Sequence, residues 1–281
     1  MSHAANSPKA LLLDHGLRPK RRFGQNFLAD AQLAARIAEL CTTPEGGTVV
    51  EIGAGAGALT APLLDRAARV VAIERDRDLI PILAERFAAE IEAGSLLLRE
   101  ADAKRAPLGS WLESGPLPRV LAGNLPYQIT GPLLERAVDL ATAATRIVFM
   151  VQLEVADRLQ SPPGQPAYGA LSVFAQARFH VRREFVVARG AFYPQPGVDS
   201  ALVVLRPRDP PLAAETSCFR AVVKAAFEQR RKKLRNAWRG LAGMTPDTLT
   251  RAAARAGIDL DRRGETLAVT DFARMADEVS G

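Results

Sequence analysis

The chain has 281 residues, of which 48% are hydrophobic and 24% charged, a composition typical of a globular protein with room for one large domain and a smaller one. No apolar run reaches the roughly 18 residues that would span a bilayer. The dispersed cysteines and histidines lack the spacing of a metal site or a disulfide framework. We therefore expect a cytoplasmic protein that has no membrane-spanning segment and binds no metal ion. The formal net charge is +6, and the positive charge is concentrated in two short segments, which favours a polyanionic partner.

The N-terminal region combines a predicted tail with the first basic segment. We expect residues 1–18 to form a flexible tail, because the first ten lack the basic start and apolar run of a secretory signal. Residues 15–29 contain Arg18, Lys20, Arg21 and Arg22 and no acidic residue. One such run alone is at least as typical of a solvated surface, but two of them flanking a catalytic domain favour nucleic acid.

The first two-thirds of the chain alternate β-rich apolar runs with helical patterns, which is typical of an α/β fold with a parallel sheet. The predicted strands are Thr48–Ile52, Arg69–Ile73, Ser95–Leu98, Arg119–Ala122 and Arg146–Val151. Between the second and third strands, Leu79, Ile82, Leu83 and Phe87 recur at helical spacing. The pattern therefore predicts five βα units whose helices bury both faces of the sheet.

The first predicted strand ends in a glycine-rich turn, Gly53-Ala54-Gly55-Ala56-Gly57, before a helix that begins near Leu59. Glycines at such a turn allow a ligand to approach the backbone closely. Glu74 lies 21 residues after Gly53, at the end of the next strand, where a carboxylate can accept hydrogen bonds from both ribose hydroxyls. Together these features predict an adenosine-containing cofactor, whereas the glycine motif alone would equally fit a tight turn.

Two further polar residues follow the next strands. Asp102 lies where it can bond the adenine amino group of a cofactor, and Asn124 follows the fourth strand. Acidic and amide side chains at consecutive strand ends are more typical of methyltransferases than of nicotinamide dehydrogenases. A helix-capping role for Asp102 remains an open alternative.

The tetrapeptide Asn124-Leu125-Pro126-Tyr127 has the composition needed to activate an aromatic amine. The lone pair of the adenine 6-amino group is delocalised into the ring, and the Asn124 side-chain oxygen and Leu125 carbonyl can accept its two N–H bonds. Pro126 fixes the turn, and Tyr127 offers a surface on which an extruded base can stack. Phe192, in a proline-rich loop, is a candidate second stacking wall or equally a core residue.

The remainder of the chain is predicted to contain two more strands, His180–Val187 and Ser200–Arg206, and then a proline-rich linker. We place the domain boundary there, with a catalytic domain over residues 1–208 and a small helical domain over 209–281. Residues 217–240 hold eight Lys or Arg and one Glu, on a segment whose apolar residues from Phe219 to Trp238 recur at helical spacing.

Several of these motifs resemble those of the ribosomal RNA adenine dimethyltransferases, a family related to the Erm enzymes. The resemblance covers most of the chain and rests on Arg22–Leu28, the glycine turn, Asn124–Tyr127, Val151–Ala156, Phe192–Ser200 and Phe227–Asn236. It implies a Rossmann-like class I methyltransferase sheet with helices on both faces, and S-adenosyl-L-methionine as the cofactor. The cofactor-binding residues that it implies, together with those predicted above, are Gln25, Asn26, Leu28, Gly53, Gly55, Glu74, Asp102 and Asn124.

The same resemblance implies a substrate and a partner. These are two adjacent adenosines near the 3′ end of small-subunit rRNA, dimethylated on an immature 30S particle during ribosome biogenesis by an enzyme that we expect to be a monomer. The RNA contacts would come from Arg21, Arg22, Arg230, Arg231, Lys232, Lys233 and Arg235. Gln128 and Thr130 depart from the Asn and Ser that bacterial members often carry, which affects only fine substrate preference.

The alternatives differ in substrate or in class. An Erm-type enzyme would methylate large-subunit rRNA, and another relative would methylate DNA adenine. A non-catalytic RNA-binding assembly or transcription factor would keep the fold and the cofactor pocket, but the intact Asn124–Tyr127 motif argues against it. A nicotinamide dehydrogenase would bind a dinucleotide instead.

Overall fold

The structure is a computed structural model, and residues 7–280 are the part of the chain that it describes. Within them, the strands are β1 (Phe27–Leu28), β2 (Thr48–Ile52), β3 (Arg69–Glu74), β4 (Leu96–Glu100), β5 (Arg119–Asn124), β6 (Arg146–Gln152), β7 (Phe179–Val187), β8 (Phe192–Tyr193) and β9 (Ser200–Pro207). The helices are α1 (Pro8–Asp14), α2 (Ala31–Cys41), α3 (Thr60–Leu64), α4 (Ile80–Arg86), α5 (Ala88–Glu92), α6 (Leu108–Glu113), α7 (Thr130–Asp139), α8 (Leu153–Gln160), α9 (Ala170–Arg178), α10 (Ser217–Glu228), α11 (Leu234–Ala237), α12 (Pro246–Arg255) and α13 (Val269–Ser280).

Seven strands form one mixed sheet in the order β4-β3-β2-β5-β6-β9-β7. The pairings among β2 to β6 are parallel, and β9 runs antiparallel to β6, with Ser200 opposite Gln152. Every predicted strand is present, and its ends lie within two residues of the predicted ones. The five parallel strands place their carboxyl ends along one edge of the sheet, where ligands bind in folds of this kind.

The central strands are buried as predicted. Every residue of β2 is buried, and β6 is buried from Ile147 to Val151, because helices cover both faces. Helix α2 begins at a cap in which the Asp30 side chain accepts the Leu33 N–H, and it buries Ile37 and Ala38 against the sheet. At the sheet edge, β4 is only partly buried.

The predicted flexible tail is wrong for part of its length. Residues 8–14 form α1, whose first turn is capped by Ser7, and Leu11 and Leu12 are buried. These leucines share an apolar cluster with Phe27, Ala56 and Ile82. The segment is too short for its apolar pattern to stand out in the sequence, and burial against residues far along the chain stabilises it. Residues 1–6 of the predicted tail lie outside the described residues.

A second, two-stranded sheet was not predicted. It pairs β1 with β8, so that Phe27 lies opposite Tyr193 and Leu28 opposite Phe192. Two-residue strands leave too little pattern to be recognised from the sequence. The pairing fixes the N-terminal motif beside the proline-rich loop that precedes β9.

The chain divides into two compact units. The first contains the residues up to Ala156 together with Arg182–Arg206, and the second contains Asp157–Val181 and the residues from Pro207 on. The break at Pro207 lies next to the predicted linker, but 157–181 belongs with the C-terminal helices instead of with the predicted domain 1–208. Its assignment depends on tertiary contacts that periodicity does not reveal.

The second unit is helical, as predicted for the C-terminal region. The Tyr168 and Phe227 rings meet edge to face with their centroids 6.0 Å apart, and the Tyr168 hydroxyl donates to the Leu267 carbonyl at 3.0 Å. The buried Trp238 indole donates to the Val222 carbonyl at 2.9 Å. None of the helices within residues 7–280 combines the length and apolar character that crossing a membrane requires.

Candidate active site

A cavity opens at the carboxyl ends of β2, β3 and β5, all within the first unit. All eight residues predicted to bind the cofactor line it, and so does the whole tetrapeptide Asn124–Tyr127. The N-terminal motif Arg22–Leu28 forms a further part of the wall. The structure therefore brings together residues that are about a hundred positions apart in the sequence.

The glycine turn forms the part of the wall that follows β2. Gly53 has φ +77° and Gly55 has φ +58°, both in the left-handed region where residues other than glycine are strained. The backbone N–H groups of Gly53 and Ala54 donate to the Ile73 carbonyl at 2.8 and 3.0 Å, which ties the turn to β3. A side chain at Gly55 would begin 3.1 Å from the Phe27 ring. Another residue would therefore be strained at either position and crowded at Gly55, whereas glycine leaves the backbone of the turn open to a ligand.

Glu74, the last residue of β3, is 8% exposed and accepts three backbone hydrogen bonds. One carboxylate oxygen accepts the Gly55 N–H at 2.8 Å, and the other accepts those of Arg75 and Asp76 at 2.7 Å. Burial raises the pKa of Glu74, although these three donors favour the charged form. A carboxylate has about four acceptor positions, so one remains. For Glu74 to accept bonds from both ribose hydroxyls, as predicted, one hydroxyl would have to replace one of these three backbone donors.

Asp102 lines the cavity in the turn after β4. Its Oδ1 accepts the Lys104 N–H at 3.0 Å, and its Oδ2 lies 3.6 Å from an Arg75 guanidinium nitrogen. The bond with Lys104 is local to the turn and resembles the bond that a helix-capping aspartate makes. Asp102 does not cap a helix, however, because α6 starts only at Leu108. Asp102 thus lines the wall, and its contact with the cofactor base stays a prediction.

The Asn124 side chain has a defined orientation at the end of β5. Its Nδ2 donates to the Asn26 backbone carbonyl at 2.8 Å, so its Oδ1 is the atom left to accept a hydrogen bond in the cavity. The Leu125 N–H donates to the Met150 carbonyl at 3.0 Å, while the Leu125 carbonyl accepts no bond from residues 7–280. Two acceptors on adjacent residues are therefore available beside the glycine turn.

The other half of the tetrapeptide supplies a rigid turn and an aromatic wall. The Pro126 carbonyl accepts the Ile129 N–H at 3.0 Å and the Thr130 hydroxyl at 3.1 Å. The Tyr127 ring is half-buried and lines the cavity, and its hydroxyl lies 3.1 Å from the Ser200 hydroxyl. Sequence reasoning missed Ser200, although a polar residue that opens an otherwise apolar strand is a detectable signal.

Phe192, the predicted second stacking wall, lies elsewhere. It is 5% exposed, pairs with Leu28 across the two-stranded sheet and belongs to the main apolar cluster with Val187 and Leu202. It does not line the cavity, whereas Tyr127 does. This placement matches the core alternative, and a stacking role for Phe192 remains a prediction.

A polar network that the sequence did not reveal anchors the N-terminal motif. Lys20 Nζ lies 2.5 Å from a carboxylate oxygen of both Asp76 and Asp78, and Gln25 Nε2 donates to Asp76 at 2.7 Å. Burial of Asp76 opposes ionisation, but its bonds with Lys20 and Gln25 outweigh that effect and lower its pKa. The network ties residues 20–25 to the loop after β3. Consequently it also locates Asn26, whose carbonyl orients Asn124.

Glu51 is a second acidic residue in the wall that the sequence did not single out. It is 1% exposed, and the Thr60 hydroxyl donates to it at 2.6 Å. Burial raises the pKa of Glu51 to about 7, with a smaller contribution from the charge of Glu74. An isolated acid within the apolar run Val49–Ile52 was the available signal.

The predicted RNA-binding residues fall into two groups. In the first unit, Arg21 and Arg22 are exposed, and the Arg22 guanidinium lies 4.8 Å from the Phe23 ring centroid. In the second unit, Arg231 and Lys232 are exposed and have no side-chain partner among the described residues. These four cations are therefore available to a polyanion.

The other predicted cations of the second unit are paired internally. Arg230 lies 3.0 Å from Glu265, and its guanidinium also donates to the Pro166 carbonyl. Lys233 and Arg235 both reach Asp261, at 3.1 and 2.8 Å. Their charge is thus partly neutralised. Across residues 7–280, His, Cys, Asp and Glu form no group of three or more that would hold a metal ion.

Comparison with known proteins gives consistent matches over nearly the whole chain. Residues 16–280 match the family model described as "Ribosomal RNA adenine dimethylase". The "Ribosomal RNA small subunit methyltransferase A" of Anaeromyxobacter sp. (strain K) is 43% identical over 278 residues, which cover 96% of each chain. The protein of the same name from Magnetococcus marinus is 44% identical and covers 98% of this chain and 97% of its own.

Two crystal structures share the fold. A dimethyladenosine transferase from Plasmodium falciparum aligns with a TM-score of 0.72 at 22% identity, over 89% of this chain and 95% of its own. The 23S rRNA methyltransferase ErmE aligns with a TM-score of 0.66 at 26% identity, over 91% of this chain and all of its own (100%). These likenesses confirm the predicted Rossmann-like methyltransferase fold with a helical C-terminal region.

Proposed function

This chain belongs to the ribosomal RNA adenine dimethylase family, and we propose that it dimethylates the exocyclic amine of two adjacent adenosines near the 3′ end of small-subunit rRNA. The observation that carries the proposal is the orientation of Asn124, whose Nδ2 is bound by the Asn26 carbonyl so that Oδ1 and the Leu125 carbonyl are left as acceptors. Relatives more than 40% identical that are named for the small subunit support this substrate over large-subunit rRNA.

The residues of the cavity fit S-adenosyl-L-methionine. Gly53 and Gly55 leave backbone open beside a carboxylate, Glu74, that has one acceptor position free, and Asp102 lines the wall after the next strand. Glu51 and Glu74 also make this wall anionic when they are ionised, which suits a cationic ligand. When bound, the cofactor supplies an electrophilic methyl group on a sulfonium.

The chain's own contribution is to present the amine. Asn124 Oδ1 and the Leu125 carbonyl accept its two N–H bonds, which favours a pyramidal nitrogen with its lone pair directed at the methyl group. Tyr127 stacks on the base and limits its rotation. Because the methyl donor is already reactive, orientation and electrostatics account for most of the acceleration, and no general base has to act before transfer.

Recognition of the RNA is proposed for two exposed basic segments. Arg21 and Arg22 lie beside the cavity motif, and Arg231 and Lys232 are exposed on the helical unit with no counter-ion among residues 7–280. Such cations bind phosphates and release counterions. We propose that the chain acts as a monomer, in the cytoplasm, on an immature 30S particle.

The test compares three substrates. The protein is incubated with radiolabelled S-adenosyl-L-methionine and with undermethylated small subunits, naked small-subunit rRNA or large-subunit rRNA, and the labelled nucleotide is mapped. We expect dimethyladenosine at two adjacent positions near the 3′ end of the RNA in small subunits. Label in large-subunit rRNA would instead favour the Erm-type activity, and absence of methyl transfer with retained RNA binding would favour a non-catalytic factor.

A further inference from the structure

Ser200 is a buried polar residue at the start of an apolar strand. It is 1% exposed, it lies opposite Gln152 in the pairing of β9 with β6, and Ala201 to Leu205 after it are buried and apolar. A buried hydroxyl without a partner is costly. The partner of Ser200 is the Tyr127 hydroxyl, 3.1 Å away.

This bond holds the far end of the Tyr127 ring. Tyr127 begins a short 3-10 turn directly after Pro126, whose carbonyl is bound by Ile129 and Thr130, so the near end of the side chain is also fixed. A tyrosine side chain has only two rotatable torsions before the ring. Anchoring the hydroxyl to a strand of the central sheet therefore fixes χ1 and the direction of the ring axis, and so the place of the ring in the cavity wall.

The two methylations place unequal demands on this ring. An unmodified adenine amine has two N–H bonds, which Asn124 Oδ1 and the Leu125 carbonyl can both accept. After one transfer the nitrogen has a single N–H, so only one of the two acceptors can hold it. Orientation of the base in the second transfer then depends more on stacking against Tyr127.

We propose that Ser200 is a positioning residue, which acts through Tyr127 to secure the second methyl transfer. The inference rests on the proposed dimethylation of adenine. Each transfer forms one N–CH3 bond as the donor's S–CH3 bond breaks, and the amine proton leaves to water. Weakening the Ser200–Tyr127 bond lowers the rate of the second step more than that of the first and leaves monomethyladenosine as a product.

The experiment measures both methylated nucleosides by mass spectrometry after timed reactions on undermethylated small subunits. We expect Ser200→Ala to slow the second transfer about threefold to tenfold, the usual effect of losing one buried hydrogen bond, and to change the first by less than threefold. Thr48→Val is the matched control, because it also removes a buried hydroxyl bond in the same sheet, to the Pro116 carbonyl at 2.9 Å, outside the cavity. It should lower the melting temperature without changing the product ratio.

A double-mutant cycle with Tyr127→Phe tests the coupling. Because both substitutions remove the same bond, the double variant should be no slower in the second transfer than the slower single variant. If the two effects multiply, or if Ser200→Ala keeps the wild-type product ratio, the inference is overturned while the proposed function stands. A wild-type protein that makes no methyladenosine would refute the proposed function itself. If Ser200→Ala does not fold, Tyr127→Phe alone probes the bond, and an unchanged product ratio would overturn the inference.

Discussion

Replacement of Glu51 by Gln should reveal how much this buried carboxyl group contributes to the pH dependence of the protein's stability. Glu51 is fully buried in β2, and the hydroxyl of Thr60 donates to one of its oxygens. A glutamine keeps an acceptor for Thr60 and occupies nearly the same volume. It differs from the wild type mainly in that it never carries a charge, so the difference between the two proteins isolates the cost of ionising this buried group.

The magnitude follows from the raised pKa. Burial moves the pKa of Glu51 from 4.5 to about 7 in the folded state. The folded protein therefore binds more protons than the unfolded chain between these values, and the stability that the group contributes is lost as the pH rises through about 7. A shift of this size corresponds to a loss on the order of 3 kcal/mol in the free energy of unfolding. The Gln variant should not show it.

Urea denaturation at a series of pH values from 5 to 8.5 measures this difference. We expect the Gln variant to gain stability relative to the wild type as the pH rises, with most of the change between pH 5 and 7.5. Glu85 is exposed, so the Glu85→Gln variant serves as the control for the loss of one carboxylate. A difference in stability between Glu51→Gln and the wild type that is the same at pH 5 and pH 8.5 would show that ionisation of Glu51 does not destabilise the fold.

Five other substitutions test separate parts of the protein. Asn124→Ala should lower kcat about 100-fold to 1000-fold, as expected for losing one well-placed polar group, and calorimetry should show a much smaller loss of cofactor affinity. An equal loss in both would contradict the role of Oδ1. Lys20→Met should weaken cofactor binding about tenfold, because the anchored motif that forms the cavity wall is released; unchanged binding would show that the network is dispensable. Arg231→Ala and Lys232→Ala should each weaken binding to the small subunit and reduce the slope of the logarithm of the binding constant against the logarithm of the salt concentration by about 0.7 to 1. Lys233→Ala should change this slope less, because the charge of Lys233 is paired with Asp261.

Local patterns were sufficient to predict the sheet and the position of the cavity. The stretches Thr48–Ile52 and Arg146–Val151 mark buried strands because most of their side chains are apolar, and the glycines after Ile52 mark a turn that requires positive φ. Glu74 and Asn124 could be assigned to one edge because parallel strands share their carboxyl ends.

Contacts between distant segments could not be predicted in this way. The bonds of Asn26 to Asn124 and of Lys20 to Asp76 join residues 98 and 56 positions apart, and no periodicity encodes them. Phe192 reads equally well as a stacking residue or a core residue until its pairing with Leu28 is known. Similarly, a run of Lys and Arg shows where charge lies but not which of its members an acidic residue neutralises.

The most direct test of the central claim is a structure of the protein on the small subunit, with S-adenosylhomocysteine in the cavity and the target adenosine extruded. We expect the exocyclic nitrogen to lie within about 3.2 Å of both Asn124 Oδ1 and the Leu125 carbonyl oxygen. A complex in which that nitrogen contacts neither oxygen, or in which the base lies away from the tetrapeptide, would contradict the claim.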